Sequence, residues 1–215
     1  MEKKIFVFGS SISWGAWDRE GGWVDRLKRF VNSKVIDTNE KYWGMIYNQS
    51  ISGDTTTGIL ERFERELALR LGENQDVYVV FEIGINDSLF INDQKEFQVP
   101  LQTFESNMEQ LIKLSKKYTK HILFIGAAPV IDEILDPIPW HTTGTYSTKY
   151  IQKFNETILT KCKDNDAEYI DLFTEFNSGN LKELLCPDGV HFSTKGHELT
   201  YNILKQLLGK LKAFD

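Results

Sequence analysis

Cysteine is nearly absent, with only Cys162 and Cys186 in a chain of 215 residues. At most one bridge could form, so the disulfide framework of a small secreted domain is excluded and a reducing, intracellular setting is expected. Neither Cys belongs to a CxxC pair, and the four histidines (His121, His141, His191 and His197) contain no HExxH pattern. A zinc site therefore lacks its usual ligand spacing, and no metal or other cofactor is expected. Long hydrophobic runs are missing as well. Ile5-Phe6-Val7-Phe8 gives only four apolar positions before Gly9, too few for a signal-peptide core or a membrane span. The expectation is a cytoplasmic chain without membrane insertion. Nor is there a basic surplus: 25 Lys plus Arg face 31 Asp plus Glu, a formal net charge of -6. A nucleic-acid partner would need many more cations to neutralise its phosphates.

What is present is ordinary for a packed protein. Hydrophobic residues make up 41% and aromatics 13%, enough apolar surface to drive folding. At roughly 100 to 200 residues per domain, the length fits one domain over residues 1–215.

Apolar runs and turn residues alternate along the chain. Ile5 to Phe8 reads as a first strand and Gly22 to Phe30 as a helix with Trp23, Leu27 and Phe30 on one side. Val35-Ile36 is a small apolar patch before a turn at Asp37-Thr38-Asn39, and Trp43 to Tyr47 is a second strand. From Thr55 to Leu71, Ile59, Leu60, Phe63, Leu67 and Leu71 form one helical stripe. Asp76 to Ile83 is a nearly unbroken β-branched and aromatic run, the signature of a central strand covered on both faces. A helix carrying Phe104, Met108, Leu111, Ile112 and Ser115 follows, then a strand from His121 to Ala127. Pro129 to Tyr146, with three prolines, reads as a long loop. A helix from Tyr146 to Lys163, a last strand from Glu168 to Phe173 and a closing helix from Ser193 to Leu211 complete the order. The expected class is α/β, with a central parallel sheet of about five strands between two helical layers.

Ligands of such sheets sit beyond the carboxyl ends of the strands, where four polar clusters fall. Gly9-Ser10-Ser11-Ile12-Ser13 follows the first strand: a serine on a strand-to-helix turn can present a nucleophilic hydroxyl beside free backbone N–H groups. It can equally be a helix cap. Asn48 to Asp54 includes Gly53, whose bare backbone can approach a substrate closely. Glu82 to Asp87 includes Asn86, whose amide can donate to a developing oxyanion. Asp188-Gly189-Val190-His191 can orient an imidazole through its Nδ1 and leave Nε2 free to take a proton, although an isolated Asp-x-x-His is as readily a turn. His197, on the closing helix, reads as structural. The four clusters together carry more weight than any one of them.

Taken in order, these blocks resemble the SGNH hydrolases, also called GDSL-type esterases and lipases. The nucleophile block is matched by Phe8-Gly9-Ser10-Ser11-Ile12, the glycine block by Gly53, the Gly-x-Asn-Asp block by Gly84-Ile85-Asn86-Asp87, and the last block by Asp188 to His191. The resemblance implies a flavodoxin-like three-layer α/β/α sandwich, with Ser11, His191 and Asp188 as catalytic triad. It also implies an oxyanion hole from the N–H groups of Ser11 and Gly53 and the side chain of Asn86. One position departs from the pattern: Ser10 stands where the family has Asp, replacing a carboxylate that could order the neighbouring loops.

The implied partner is a small-molecule ester, with short-chain esters and acetylated carbohydrates the leading substrates. Trp14 and Trp140 are candidates for the walls of a substrate pocket, with Trp17 nearby in sequence, whereas Trp23 belongs to a packed helix face. Two rivals explain the serine-rich loop: a flavodoxin-like phosphate or cofactor binder, and a binding module of the same fold without catalysis. Oligomeric state is not encoded legibly, and a homo-oligomer stays open.

Overall fold

The computed structural model describes residues 1–215. Five parallel strands make the main sheet: β1 (Glu2–Gly9), β2 (Gly44–Asn48), β3 (Gln75–Glu82), β6 (His121–Ile125) and β8 (Glu168–Ile170), in the order β2-β1-β3-β6-β8. The order reverses direction between β1 and β3, and such a switch point opens a crevice beyond the strand ends. Register puts Gly9 directly beside Glu82, so the loops leaving β1 and β3 start side by side.

The pleat divides the interior. Val77, Val79 and Phe81 of β3 face one helical layer together with Phe6 and Phe8, and meet α3 (Thr56–Ala68), α4 (Leu101–Ser115) and α6 (Thr148–Asp164). Tyr78 and Val80 face the other with Ile5 and Val7, against α2 (Gly22–Asp37) and α9 (Thr194–Lys210). The helices obey the same logic: Ile59, Phe63 and Leu67 recur every four residues on α3 and are fully buried. Each such side chain stabilises the fold by roughly 1.5 to 3 kcal/mol through burial. Phe8, Phe63, Phe81 and Phe124 pack ring against ring in the first of these layers.

Three expectations need correction. Val35 and Ile36 continue α2 to Asp37 instead of standing apart, with Ile36 exposed; α2 turns its apolar face inward farther up and leaves this end wet. The last strand stops at Ile170, because Asp171 caps a new helix, α7 (Leu172–Asn177), by accepting the Thr174 N–H. The segment from Pro129 to Tyr146 is not a plain loop. It contains α5 (Asp132–Leu135) and β7 (Gly144–Thr145), and β7 pairs with β4 (Phe90–Ile91), itself paired with β5 (Glu96–Phe97), in a small antiparallel sheet. Two-residue strands are too short to leave a period in sequence. Above the strand ends, Ile85, Leu89, Ala127, Val130, Leu135, Ile138, Tyr146, Ile151 and Val190 form a third apolar cluster that backs the crevice. No helix is long and apolar enough to cross a membrane.

Candidate active site

Ser11 opens the four-residue helix α1 (Ser11–Trp14) immediately after β1. A helix start leaves its first N–H groups without intrahelical acceptors, so the Ser11 amide is available beside its own hydroxyl. The turn is anchored from below. Glu82, fully buried at the end of β3, accepts the Ser13 hydroxyl at 2.6 Å. Burial raises its carboxyl pKa, opposed by hydrogen bonds from Ser13 and from the Ser13 and Ser10 backbones. A carboxyl group thus lies under the turn even though position 10 is a serine, and the Ser10 hydroxyl is buried without a partner.

His191 arrives from the opposite end of the chain. The turn that bears it is closed on itself: Cys186 N–H donates to the His191 carbonyl at 2.7 Å and Gly189 N–H to the Cys186 carbonyl at 2.9 Å. Gly189 takes φ +79°, a left-handed value that favours glycine. Asp188 Oδ1 accepts the N–H groups of Val190 and His191, both at 3.0 Å, and Oδ2 lies 2.7 Å from His191 Nδ1. Burial would raise the Asp188 pKa, but His191 and these two amides outweigh it and keep the group a carboxylate. His191 Nε2 lies 2.9 Å from Ser11 Oγ. Hydroxyl, imidazole and carboxylate therefore stand in one hydrogen-bonded line, an arrangement able to move a proton off the hydroxyl as it attacks.

Gly53 and Asn86 lie on the same cavity as Ser11, together with Ile12, Ser52, Ile85, Trp140, Tyr146, Val190 and His191; its volume is about 180 Å³. Gly53 has φ +81°, and a Cβ there would meet nothing within 4 Å, so backbone conformation and not crowding calls for glycine. Asn86 Nδ2 donates to the Asp54 carbonyl at 2.9 Å, while Asn86 Oδ1 accepts the Tyr146 hydroxyl at 2.8 Å. Next to it, Asp87 Oδ1 accepts both the Thr56 N–H at 2.9 Å and the Thr56 hydroxyl at 2.5 Å. The turn after β3 is thereby tied twice to the segment that carries Gly53. Burial pushes the Asp87 carboxyl up to about 6 despite those bonds.

Of the sequence candidates, Ser11, Asp188, His191, Gly53, Asn86 and Trp140 converge on this crevice. Trp14 does not line it; it is 58% exposed at the end of α1. Trp23 is fully buried in the core and His197 is fully buried with neither ring nitrogen bonded. Tyr146 and Asp18 are not singled out in the sequence as part of the site, and Trp17 is named there only beside the pocket candidate Trp14. Tyr146 ends the expected loop and begins the expected helix, whereas α6 starts only at Thr148. Trp17 places its indole N–H 3.0 Å from His191 Nδ1. Asp18, with a side chain closed to solvent, accepts from Gly22 N–H at 3.0 Å, Thr194 Oγ1 at 2.8 Å and the Arg26 guanidinium. It fastens the Trp17 loop to the starts of α2 and α9. Only the i, i+8 spacing of Asp18 and Arg26 hinted at that link.

Comparison with known proteins agrees with the geometry. Residues 7–199 match the GDSL-like Lipase/Acylhydrolase family. The human isoamyl acetate-hydrolyzing esterase 1 homolog is 22% identical over 226 residues, covering 96% of this chain and 82% of that one. Esterase TesA of Pseudomonas aeruginosa is 26% identical over 188 residues, covering 87% and 78%. Among solved structures, a lipase/acylhydrolase from Enterococcus faecalis superposes with TM-score 0.71 at 22% identity, covering 96% of this chain and 95% of that one. An acetylxylan esterase from Geobacillus stearothermophilus gives TM-score 0.71 at 18% identity, covering 96% and 94%. Both structures share the three-layer fold. With the family's match spanning most of the chain and its named relatives esterases, this protein belongs to the GDSL-like lipase/acylhydrolase family and is an ester-hydrolysing enzyme.

Proposed function

We propose that the protein hydrolyses esters of short acyl groups through a Ser11–His191–Asp188 triad and an acyl-enzyme intermediate. The observation that carries this reading is the unbroken line from Ser11 Oγ through His191 to Asp188, at 2.9 and 2.7 Å. His191 Nε2 takes the Ser11 proton as Oγ bonds to the carbonyl carbon. Asp188 holds Nδ1–H and stabilises the imidazolium. The negative charge that develops on the carbonyl oxygen is met by the N–H groups of Ser11 and Gly53 and the free N–H of Asn86. The imidazolium then protonates the departing alcohol as the C–O bond breaks. In the second half a water gives its proton to His191, attacks the acyl carbon and releases the acid, and Ser11 regains its proton.

A cavity of about 180 Å³ bounded by Ile12, Ile85 and Val190 is smaller than the roughly 300 Å³ at which drug-sized ligand sites begin. It suits an acetyl or similarly short group, in line with relatives named for isoamyl acetate and acetylxylan. The alcohol half is directed to the rim, where Trp140 and Trp17 are exposed. Phosphate binding and non-catalytic binding leave the His191–Asp188 pair and Asn86 without a task. The test is a fluorophosphonate label together with p-nitrophenyl esters from acetate to decanoate. Labelling at Ser11, its loss in Ser11→Ala and His191→Ala, and a rate maximum at two to four carbons are expected. Labelling that survives Ser11→Ala would end the proposal.

A further inference from the structure

Tyr146 is 8% exposed and belongs to the apolar cluster behind the crevice, with Ile85, Val190 and Ile151 among its members. A hydroxyl carried into such surroundings costs free energy unless it is bonded. Its one partner is Asn86 Oδ1, at 2.8 Å, sixty positions away in the chain. Burial raises the phenol pKa, so the group is a neutral O–H and donates.

That bond fixes a planar amide. Asn86 has one acceptor oxygen and two N–H groups. The oxygen is taken by Tyr146 and one N–H by the Asp54 carbonyl at 2.9 Å. With two of its three directions pinned from opposite sides, the remaining N–H has a single orientation. The inverted amide would set Oδ1 against the Asp54 carbonyl, oxygen facing oxygen, and would turn an acceptor where a donor is wanted. The Asp54 carbonyl, which can only accept, opposes that inversion by itself; the Tyr146 hydroxyl adds a second anchor on the oxygen, without which the amide plane would be free to tilt about the Asp54 bond.

From this geometry we infer that Tyr146 is a positioning residue for the Asn86 amide, holding its free N–H ready for the carbonyl oxygen of the bound ester. The inference rests on the proposed oxyanion role of Asn86. Tyr146 touches no reacting atom in this scheme. It stands two residues before α6, at the end of the segment carrying α5 and β7, and its own N–H is held by the Leu135 carbonyl at 3.3 Å. The segment that closes one side of the cavity therefore also fixes the plane of an amide within it.

The test is a double-mutant cycle with p-nitrophenyl acetate. Tyr146→Phe keeps the ring and removes only the hydroxyl. It should lower kcat by about 5- to 30-fold, the range for a lost hydrogen bond that acts in the transition state. KM should stay within about twofold, and the thermal midpoint should shift by a few degrees at most. In the Asn86→Ala background the same change should cost less than about twofold, since residues acting as a unit are not additive. Equal losses in both backgrounds, an unchanged kcat, or a raised KM with kcat intact would each overturn the inference. An Asn86→Ala variant of normal kcat would instead sink the oxyanion role itself, before Tyr146 is considered. Should Tyr146→Phe fail to fold, NMR of the wild-type protein decides. A Tyr146 hydroxyl proton that exchanges with water slowly enough to be seen, and an Asn86 side-chain amide as rigid as the backbone, are expected; a hydroxyl proton lost to fast exchange or a mobile amide would overturn the assignment.

Discussion

The indole N–H of Trp17 and the carboxylate of Asp188 address the same atom: His191 Nδ1 lies 3.0 Å from Trp17 Nε1 and 2.7 Å from Asp188 Oδ2. One nitrogen cannot serve both, because giving a proton to Asp188 removes the lone pair that an indole would need. A charge-assisted bond is about twice as strong as a neutral one, and Asp188 is further fixed by two backbone amides. Asp188 therefore takes the Nδ1 proton, and the close approach of the indole adds no bond to the imidazole. Trp17→Phe should accordingly change kcat/KM by less than about threefold. A loss above about tenfold in steady-state assays would mean that the indole N–H orients the imidazole.

Asn86→Ala should lower kcat by about 10² to 10³ with KM little altered, as expected for a donor engaged chiefly in the transition state. The contrast with Trp17→Phe is the point: both side chains lie within hydrogen-bond reach of the site, but in the proposed mechanism only Asn86 faces developing charge. Steady-state kinetics on both variants with one acetate ester supplies the comparison.

Ile85 and Val190 line the cavity, and in the proposed mode of binding they bound the acyl group. Val190→Ala or Ile85→Ala should move the preferred acyl length upward by one to a few carbons and lower activity on acetate, since about 0.8 kcal/mol is gained for each further buried CH₂. Ratios of kcat/KM across a chain-length series measure this. An unchanged preference would place the acyl group elsewhere.

Two buried groups pull stability in opposite directions on acidification. Burial lowers the His197 pKa from its usual 6.5 to about 4, with Asp18, Arg26 and His191 as nearby charges. The unfolded chain then binds the proton more readily than the native one, so stability is lost as pH falls from 6.5 toward 4, by roughly 3 kcal/mol. Asp87, raised to about 6 from 3.8, acts in reverse: the native state takes up its proton first, and stability is gained as pH falls from 6 toward 3.8. The wild-type curve should be nearly flat for these two groups together. Urea unfolding at pH 7, 6, 5 and 4 should show His197→Leu gaining relative to wild type on acidification, and Asp87→Asn falling behind. Parallel curves for all three proteins would contradict both assignments.

Breaking the Asp18–Arg26 pair, whose side chains are 0% and 11% exposed, should destabilise by about 3 to 5 kcal/mol, because an unpaired buried cation is left behind. Burial would raise the Asp18 pKa, but Arg26, Thr194 and Gly22 hold it well below the usual carboxylate range. Its contribution is present above pH 3.8 and fades only below. Denaturant titration of Asp18→Asn at pH 7 and pH 3 should show the deficit shrinking at the lower pH.

The long-period features were legible in the sequence. β3, α3, α4 and α9 each bury a face wide enough to impose a strand or helix rhythm on eight or more residues. That Ser11, Gly53, Asn86 and His191 share one crevice was expected from four polar blocks, each after a strand or turn and in the order the family resemblance implies, and from none of them alone. Tyr146 was not legible, since a tyrosine at a loop end has no local pattern and its bond to Asn86 depends on tertiary packing alone. The β4-β5-β7 sheet escaped for a similar reason: two residues carry no alternation. Val35-Ile36 misled because an apolar pair near a helix end looks like a separate element when nothing distinguishes its wet face.

The hydroxyl of residue 11 and the imidazole of residue 191 are separated by 180 positions along the polypeptide. A nascent chain leaving the ribosome can complete most of the β2-β1-β3-β6 sheet while still lacking the group that would activate its own serine. If His191 activates Ser11 as proposed, turnover appears only when the last tenth or so of the sequence has docked against the first. Recovered hydrolysis during refolding from denaturant is therefore a clock for the final closure event, and it should lag behind the return of secondary structure seen by circular dichroism.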